Sequence, residues 1–257
     1  MTVVFDSYVP GSSWLHRLDP RVKLWCTLLG LIWVFILPGL GWQILFLTAI
    51  HLLLLAAGIP WWKLGQLWRQ MAILIVLILL LQPYVHPAGP QIFAWGPLRL
   101  TLGGVLEALR LALRAIGIAF VMGTLLYTTS QPALVRAIVR LGLPYAWGLT
   151  ISLALRFLPA IQSLYRTVRD AQASRGWIAH ENLVRRIRSD IPVLVAVMIG
   201  TLRMSDQLTL ALAARGLETM KTRTIWRDLR MTSRDWAIAV TFTLGMLIFL
   251  WWRWTMP

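Results

Sequence analysis

Residues 71–81 read Met71-Ala72-Ile73-Leu74-Ile75-Val76-Leu77-Ile78-Leu79-Leu80-Leu81, a run with no charged, amide or hydroxyl side chain. A helix on the surface of a soluble protein shows one apolar face and one polar face. A run that is apolar all round needs an apolar solvent, so it reads as the centre of a membrane span. The whole chain agrees. It is 58% hydrophobic and 14% charged, with a mean hydropathy of +0.68. An ordinary soluble domain carries about 25% charged residues, and disordered chains are more polar still. The fold expected is all-α: a polytopic helical membrane protein with about five transmembrane helices plus long cytoplasmic helices. The single cysteine, Cys26, excludes an internal disulfide and a Cys-rich zinc or iron–sulfur site.

Working outward, the third apolar block covers 71–82, and four others fall at 22–37, 42–57, 103–127 and 236–252. Pro38-Gly39 stops the first, and Gly58 with Pro60 stops the second. The first two are short against the roughly 20 residues that cross ~30 Å of hydrocarbon. Trp14, Trp25, Trp42, Trp61, Trp62 and Trp68 flank them and suit the headgroup belt. The last block is capped by Ser233 and closes on Trp251, Trp252 and Trp254. No cleavable signal peptide is expected, because the first apolar block starts only after Pro20 and no convincing small-residue cleavage site follows.

Basic residues orient the spans. Arg17, Arg21 and Lys23 precede the first, and Lys63 and Arg69 separate the second from the third. The loop 83–99 holds one arginine and one histidine. Lys and Arg collect on the cytoplasmic side, so the N-terminus is expected inside and this loop outside. Within it, residues 92–99 read as a small hairpin around Gly96-Pro97. Five spans then leave Pro257 outside. The net charge of +15 is read through this rule and through anionic lipid, not through nucleic acid. The layout expected is a four-span membrane domain at 1–128, a cytoplasmic region at 129–232 and a last transmembrane helix at 233–257.

The region 129–232 is strongly helical in pattern. Ser130 and Pro132 start a helix over 132–141, which Gly142 and Pro144 end. A long helical stretch at 145–175 is apolar over 146–158, then amphipathic. Ile161, Leu164, Val168 and Ala171 fall on one face, and Arg166, Arg169 and Asp170 on another. Pro159 is expected to kink it. After a polar connection at 180–190 the pattern repeats, with an apolar half at 191–202, a charged middle at Arg203 and Asp206, and an end at Arg215-Gly216. Such helices suit the cytoplasmic boundary of a membrane, packed on one another or on partners.

The two stretches end alike, in Ala173-Ser174-Arg175-Gly176 and Ala213-Ala214-Arg215-Gly216, forty positions apart. The plain reading is capping: arginine in a last turn suits the helix dipole, and glycine supplies the left-handed cap. The second reading is contact. Small residues keep a helix tip slim enough to enter a groove, where the arginine fork suits carboxylates and backbone carbonyls.

Four places in chain order carry a resemblance. They are Leu15-His16-Arg17-Leu18-Asp19-Pro20-Arg21-Val22-Lys23, Thr128-Thr129-Ser130 with Pro132, Arg156-Phe157-Leu158-Pro159, and the paired Ala-x-Arg-Gly ends, the first preceded by Asp170-Ala171-Gln172. Together they resemble the transmembrane (T) component of energy-coupling factor transporters, the family that includes the cobalt and biotin transport permeases. The resemblance implies a non-catalytic subunit of an ATP-driven importer in a bacterial or archaeal cell membrane. Two cytoplasmic ABC ATPase subunits and one small membrane substrate-binding (S) subunit are its implied partners, for uptake of a vitamin or a transition metal such as cobalt or nickel. Arg175 and Arg215 are then the ATPase contacts, one per subunit, shaped by Ala173, Ser174, Gly176, Ala213, Ala214 and Gly216. Asp19, Pro20, Arg21, Arg156, Pro159 and Asp170 are implied as structural support for coupling. Leu153, Leu155, Val195 and Val197 are expected toward the S subunit. No cofactor of the chain's own is implied, ATP being bound by the partner ATPases.

The residues also argue without the resemblance. No Gly-Lys-Ser or Gly-Lys-Thr phosphate loop is present, so ATP hydrolysis by that route is excluded. No Gly-x-Ser-x-Gly, no close Asp pair within a span and no His cluster supports an intramembrane enzyme. His16, His86 and His180 are scattered, and His51 reads as an interhelical hydrogen-bonding group. Glu107 and Arg110 pair at helical spacing, and with Arg114 they snorkel near the external end. Asp19-Pro20-Arg21 reads as a helix cap or a headgroup anchor, the alternative being a contact with the coupling helices. Two other readings remain: a conventional ABC importer permease, which carries one coupling loop per chain, and a basic membrane scaffold.

Overall fold

The computed structural model describes residues 8–85, 90–95, 98–176, 183–216 and 231–255. In chain order the elements are α1 (Trp14–Arg17), α2 (Pro20–Ile36), α3 (Gly39–Ala56), α4 (Trp61–Val85), β1 (Gln91–Trp95), β2 (Leu98–Thr101), α5 (Leu102–Thr128), α6 (Gln131–Arg140), α7 (Tyr145–Ser174), α8 (Leu183–Ala214) and α9 (Ser233–Thr255). The protein is an all-α polytopic membrane protein apart from one hairpin. There β1 and β2 pair antiparallel, with Trp95 opposite Leu98 and Phe93 opposite Leu100. This is the hairpin expected at 92–99; its turn, Gly96-Pro97, lies outside the described residues.

The chain forms two compact units. One is Met1–Leu141 with Leu229–Pro257, and the other is Gly142–Asp228. The division places α6 with the spans. In the first unit, α5 packs against α2, α3 and α4. The most apolar stretch of α5 is 39% buried against 6% for that of α4, so α5 is the central helix. Small side chains open its buried side: Gly104, Ala108, Ala112, Gly117 and Gly123. Helices in hydrocarbon gain little from the hydrophobic effect, so they associate where small residues allow close packing. The α2–α5 seam is reciprocal. A Cβ on Gly117 would lie 3.3 Å from a methyl of Val34, and one on Gly30 would lie 3.3 Å from a methyl of Val121. Each glycine is the hole for the other helix's valine.

Helices α2 and α9 run parallel, tied at both ends and the middle. Asp19 N–H donates to Asp235 Oδ1 at 3.1 Å, Trp25 Nε1 donates to Thr243 Oγ1 at 3.1 Å, and Arg253 Nη1 donates to Ile36 O. Trp33 packs edge-on to Phe242, with ring centroids 5.4 Å apart. Because the offset stays near 217 residues throughout, α9 begins at the end of the bundle where α2 begins.

The second unit consists of α7 and α8. They pack tightly where Gly200 faces Leu164; a Cβ on Gly200 would lie 2.7 Å from Leu164 Cδ2. Helix α7 continues through Pro159, although the proline leaves the Leu155 carbonyl without its helical donor. Helix α8 begins at Leu183, inside the stretch expected to be a polar connection at 180–190. The charges there did not prevent helix formation, since arginine is a good helix former.

Five helical segments among the described residues are long and apolar enough to cross a membrane: Gly39–Ala56, Trp61–Tyr84, Leu102–Thr128, Asp190–Ala214 and Ser233–Thr255. The number matches the sequence expectation, but one member differs. Helix α2, with 17 residues, drops out, and most of α8 enters. At 1.5 Å per residue α2 is about 25 Å long, which is short of the hydrocarbon thickness unless its flanks contribute.

If the reciprocal seam holds α2 to α5, Gly117→Leu should destabilise the protein by about 1–3 kcal/mol through overpacking against Val34. Thermal unfolding in detergent, followed by tryptophan fluorescence, would show a lower midpoint. Gly41→Ala, where a Cβ meets nothing within 4 Å, should leave it unchanged.

Candidate functional site

At one end of the first unit, three segments converge on the first turn of α2. Asp19 caps this helix, its carboxylate accepting from Arg21 N–H at 2.9 Å, with Pro20 in the first turn where no N–H is needed. Lys23 is 7% exposed. Its Nζ donates to the carbonyls of Thr128 at 2.9 Å and His16 at 3.2 Å. Thr128 is the last residue of α5, and its carbonyl has no intrahelical donor. A cation there also meets the negative end of the α5 dipole. In its own helix Lys23 sits near the positive end, which costs about 0.3–1 kcal/mol. Two charged hydrogen bonds contribute about 1.5–3 kcal/mol each, so they win.

Asp235, 3% exposed, completes the knot. Its Oδ1 accepts from Asp19 N–H, and its Oδ2 accepts from Thr232 N–H at 2.8 Å and from Thr232 Oγ1 at 2.7 Å. This is the reach-back arm of a capping box. Thr232, not Ser233, therefore stands at the N-cap of α9. The N-terminal segment joins as well: Val9 N–H donates to Tyr127 O at 3.0 Å, and His16 Nε2 lies 3.0 Å from Val9 O.

The knot has a topological consequence. Thr128 closes α5 and Asp235 opens α9, and both bond to the start of α2. The excursion between them leaves and re-enters the bundle at one end. Any membrane crossing within it needs a matching return. Of its described helices only α8 is apolar enough over sufficient length to cross.

The two arginine ends close alike at their glycines. At the end of α7, Arg175 N–H donates to Gln172 O and Gly176 N–H to Ala173 O, both at 3.0 Å, and Gly176 has φ +87°. At the end of α8, Arg215 N–H donates to Ala211 O at 3.3 Å and Gly216 N–H to Ala213 O at 2.9 Å, with Gly216 at φ +71°. Both glycines occupy the left-handed region that a residue with a Cβ avoids. Capping is thus real at both ends, and backbone hydrogen bonds make it. Both arginine side chains are exposed, and among the described residues neither has an ion-pair partner. Beyond the Leu164–Gly200 contact, α7 extends about 16 Å to its arginine and α8 about 22 Å, at 1.5 Å per residue.

Other expected residues fall as follows. Ala173, Ser174, Ala213 and Ala214 are exposed beside the arginines, and Ser174 Oγ donates to Asp170 O at 3.1 Å. Arg156, Pro159 and Asp170 are exposed on α7. The amphipathic face holds at Ile161, Leu164 and Val168, which are half-buried, whereas Ala171 is exposed. Val195 lies on an exposed α8 stripe with Ile191, Leu194, Met198, Ile199 and Leu202. Val197, Leu153 and Leu155 are half-buried instead. His51 is the interhelical group expected: its Nδ1 lies 2.8 Å from Leu47 O, and its Nε2 accepts from Trp68 Nε1 at 3.0 Å. Glu107 and Arg110 form the expected ion pair at 3.1 Å. Sequence reading missed the roles of Lys23 and Asp235. The available signal was an acid in the first turn of an otherwise apolar block.

Replacing Lys23 by Met should leave the Thr128 and His16 carbonyls without donors and cost about 2–4 kcal/mol of stability. Arg17→Met, at an exposed neighbour, should cost far less. Thermal unfolding of both variants and of Asp235→Asn compares them. The double variant Lys23→Met with Asp235→Asn should cost less than the sum of the two single changes.

The family model described as cobalt transport protein (CbiQ) matches residues 11–226. The energy-coupling factor transporter transmembrane protein EcfT of Streptococcus equi is 30% identical over 258 aligned positions, covering 96% of both chains. The EcfT protein of Thermosediminibacter oceani is 31% identical, covering 95% of both. A putative ABC transporter ATP-binding protein of Bifidobacterium longum is 34% identical over 94% of this chain, which corresponds to 32% of that longer protein. Matched across most of its length, the chain belongs to the cobalt transport protein family, that of the transmembrane component of energy-coupling factor transporters.

Proposed function

We propose that this chain is the non-catalytic coupling subunit of an energy-coupling factor importer. It joins two cytoplasmic ABC ATPases to one membrane-embedded S subunit that binds a vitamin or a transition-metal ion. The observation that carries this reading is the pair of matching helix ends at Arg175 and Arg215. Each is a slim tip closed by backbone hydrogen bonds and a left-handed glycine, so the exposed guanidinium is left over for another chain. Two such ends in one polypeptide suit one copy meeting two ATPases. The Bifidobacterium protein supports an ATPase partner, since a protein named for ATP binding includes a region similar to nearly all of this chain.

The mechanism follows from mechanics and electrostatics. ATP-driven closure of the two ATPases moves the two tips, and α7 and α8 carry that motion past their Leu164–Gly200 contact. The stripe from Ile191 to Leu202 is the apolar surface on which the S subunit rides. The positive-inside rule puts the N-terminus and the knot in the cytoplasm, on the side of the ATPases, and the C-terminus outside. The polar knot fixes where the excursion is rooted, so motion of the tips is not lost in slack. Residues Asp19, Pro20 and Arg21 act by holding that root. Arg156, Pro159 and Asp170 act within α7. Substrate specificity resides in the S subunit.

The test is co-purification of wild type against Arg175→Glu with Arg215→Glu. Removing a desolvated interfacial charge costs about 2–5 kcal/mol. The wild type should retain ATPases and a small membrane protein, and the double variant should lose the ATPases while its unfolding midpoint is unchanged. Equal retention by both forms would contradict the assignment.

A further inference from the structure

Beside the polar knot, within the first unit, lies a cavity of about 370 Å³ walled by Trp33, Phe46, Leu53, Leu125, Ile238 and Phe242. Its polar atoms are few, and its hydroxyls and ammonium already donate within the protein. Thr27 Oγ1 donates to Lys23 O at 2.7 Å, Thr124 Oγ1 to Phe120 O at 2.8 Å, and Thr128 Oγ1 to Thr124 O at 2.7 Å. Lys23, which also lines it, directs its ammonium to the Thr128 and His16 carbonyls. A site that holds water needs two to four free polar partners, and a polar ligand needs the same. This lining is overwhelmingly apolar and leaves only the Trp14 and Trp33 indoles and the Cys26 thiol uncommitted, so it selects hydrocarbon.

The cavity is not sealed. Ala49, on its wall, is exposed, while Cys26, Thr27 and Trp33 are half-buried. Its walls come from α1, α2, α3, α5 and α9; Ala49 lies on α3, which like α5 and α9 is long and apolar enough to cross a membrane, so what reaches the opening there is bilayer interior. A chain-sized hydrocarbon there regains the dispersion contacts that an apolar hollow forfeits. From the apolar lining, the used polar groups and the opening at Ala49, we infer that this cavity is a lipid site holding one acyl chain of a bilayer phospholipid beside the knot. The site ties the packing of α2, α3, α5 and α9 to lipid, independently of any ATPase or S subunit.

Photo-crosslinking tests this with the full chain in nanodiscs of phosphatidylethanolamine and phosphatidylglycerol. One arm is doped with a phosphatidylcholine bearing a diazirine in its acyl chain, and a second with a free fatty acid bearing the same group. Adducts from the phospholipid should concentrate on the segment containing Cys26 and Thr27. The excess over the lipid-facing α4 segment around Ile73, which is 81% exposed, should be about tenfold, as for a site occupied most of the time. Ala49→Phe, which narrows the opening, should abolish the excess while leaving the α4 adducts unchanged. Equal labelling of both segments in wild type would overturn the inference, as would enrichment from the free fatty acid alone. If Ala49→Phe does not fold, the wild-type ratio between the two segments decides by itself.

Discussion

Helices immersed in hydrocarbon must be held by close packing, because lipid tails solvate an apolar side chain as well as another helix does. In this chain the close packing converges on α5. The interlock of Gly30 with Val121 and of Val34 with Gly117 brings α2 and α5 together. Leu67 and Tyr127 close around Gly123 in the same way. Helix α9 then packs along α2 through Trp33, Phe242 and Phe249. Without the seam on α5, the aromatic contacts and the knot at the end of α2 would have no fixed frame.

The knot adds specificity to that frame. Buried charges contribute little net stability unless their geometry is excellent. Here each buried charge near Lys23 has a defined partner set, and the bonds run between the N-terminal segment, α2, the end of α5 and the start of α9. They bring both mouths of the excursion to one place. The second unit is built differently. Its two helices bury little and leave a continuous apolar stripe on α8. A surface of that kind indicates a partner or a membrane boundary, not a self-sufficient core.

Much of this was legible in the sequence because the signals were local. Runs such as 71–81 identify spans, Asp19-Pro20 identifies a cap, and Ala-x-Arg-Gly identifies a helix end. The hairpin at 92–99 was readable from its turn residues. The knot was not, because Lys23, Thr128 and Asp235 are over a hundred residues apart in sequence and each has an ordinary local explanation. Asp235 in particular reads as a first-turn acid favoured by its own helix dipole. The long-range bond to Asp19 requires the parallel register of α2 and α9, which no local pattern encodes. The start of α8 was misplaced for the opposite reason: arginines mark a solvated stretch, but they do not break a helix. For the candidate site, the residue types at the two tips were readable, and the structure adds the backbone hydrogen bonds and left-handed glycine that close each one.

The central claim is that one copy of this chain serves two ATPases through two equivalent helix ends. Native mass spectrometry of the complex extracted from membranes tests it most directly, because it counts subunits without perturbing them. The account predicts one copy of this chain with two ATPase subunits and one small membrane protein. Two copies of this chain per ATPase pair would contradict it and indicate a conventional dimeric permease.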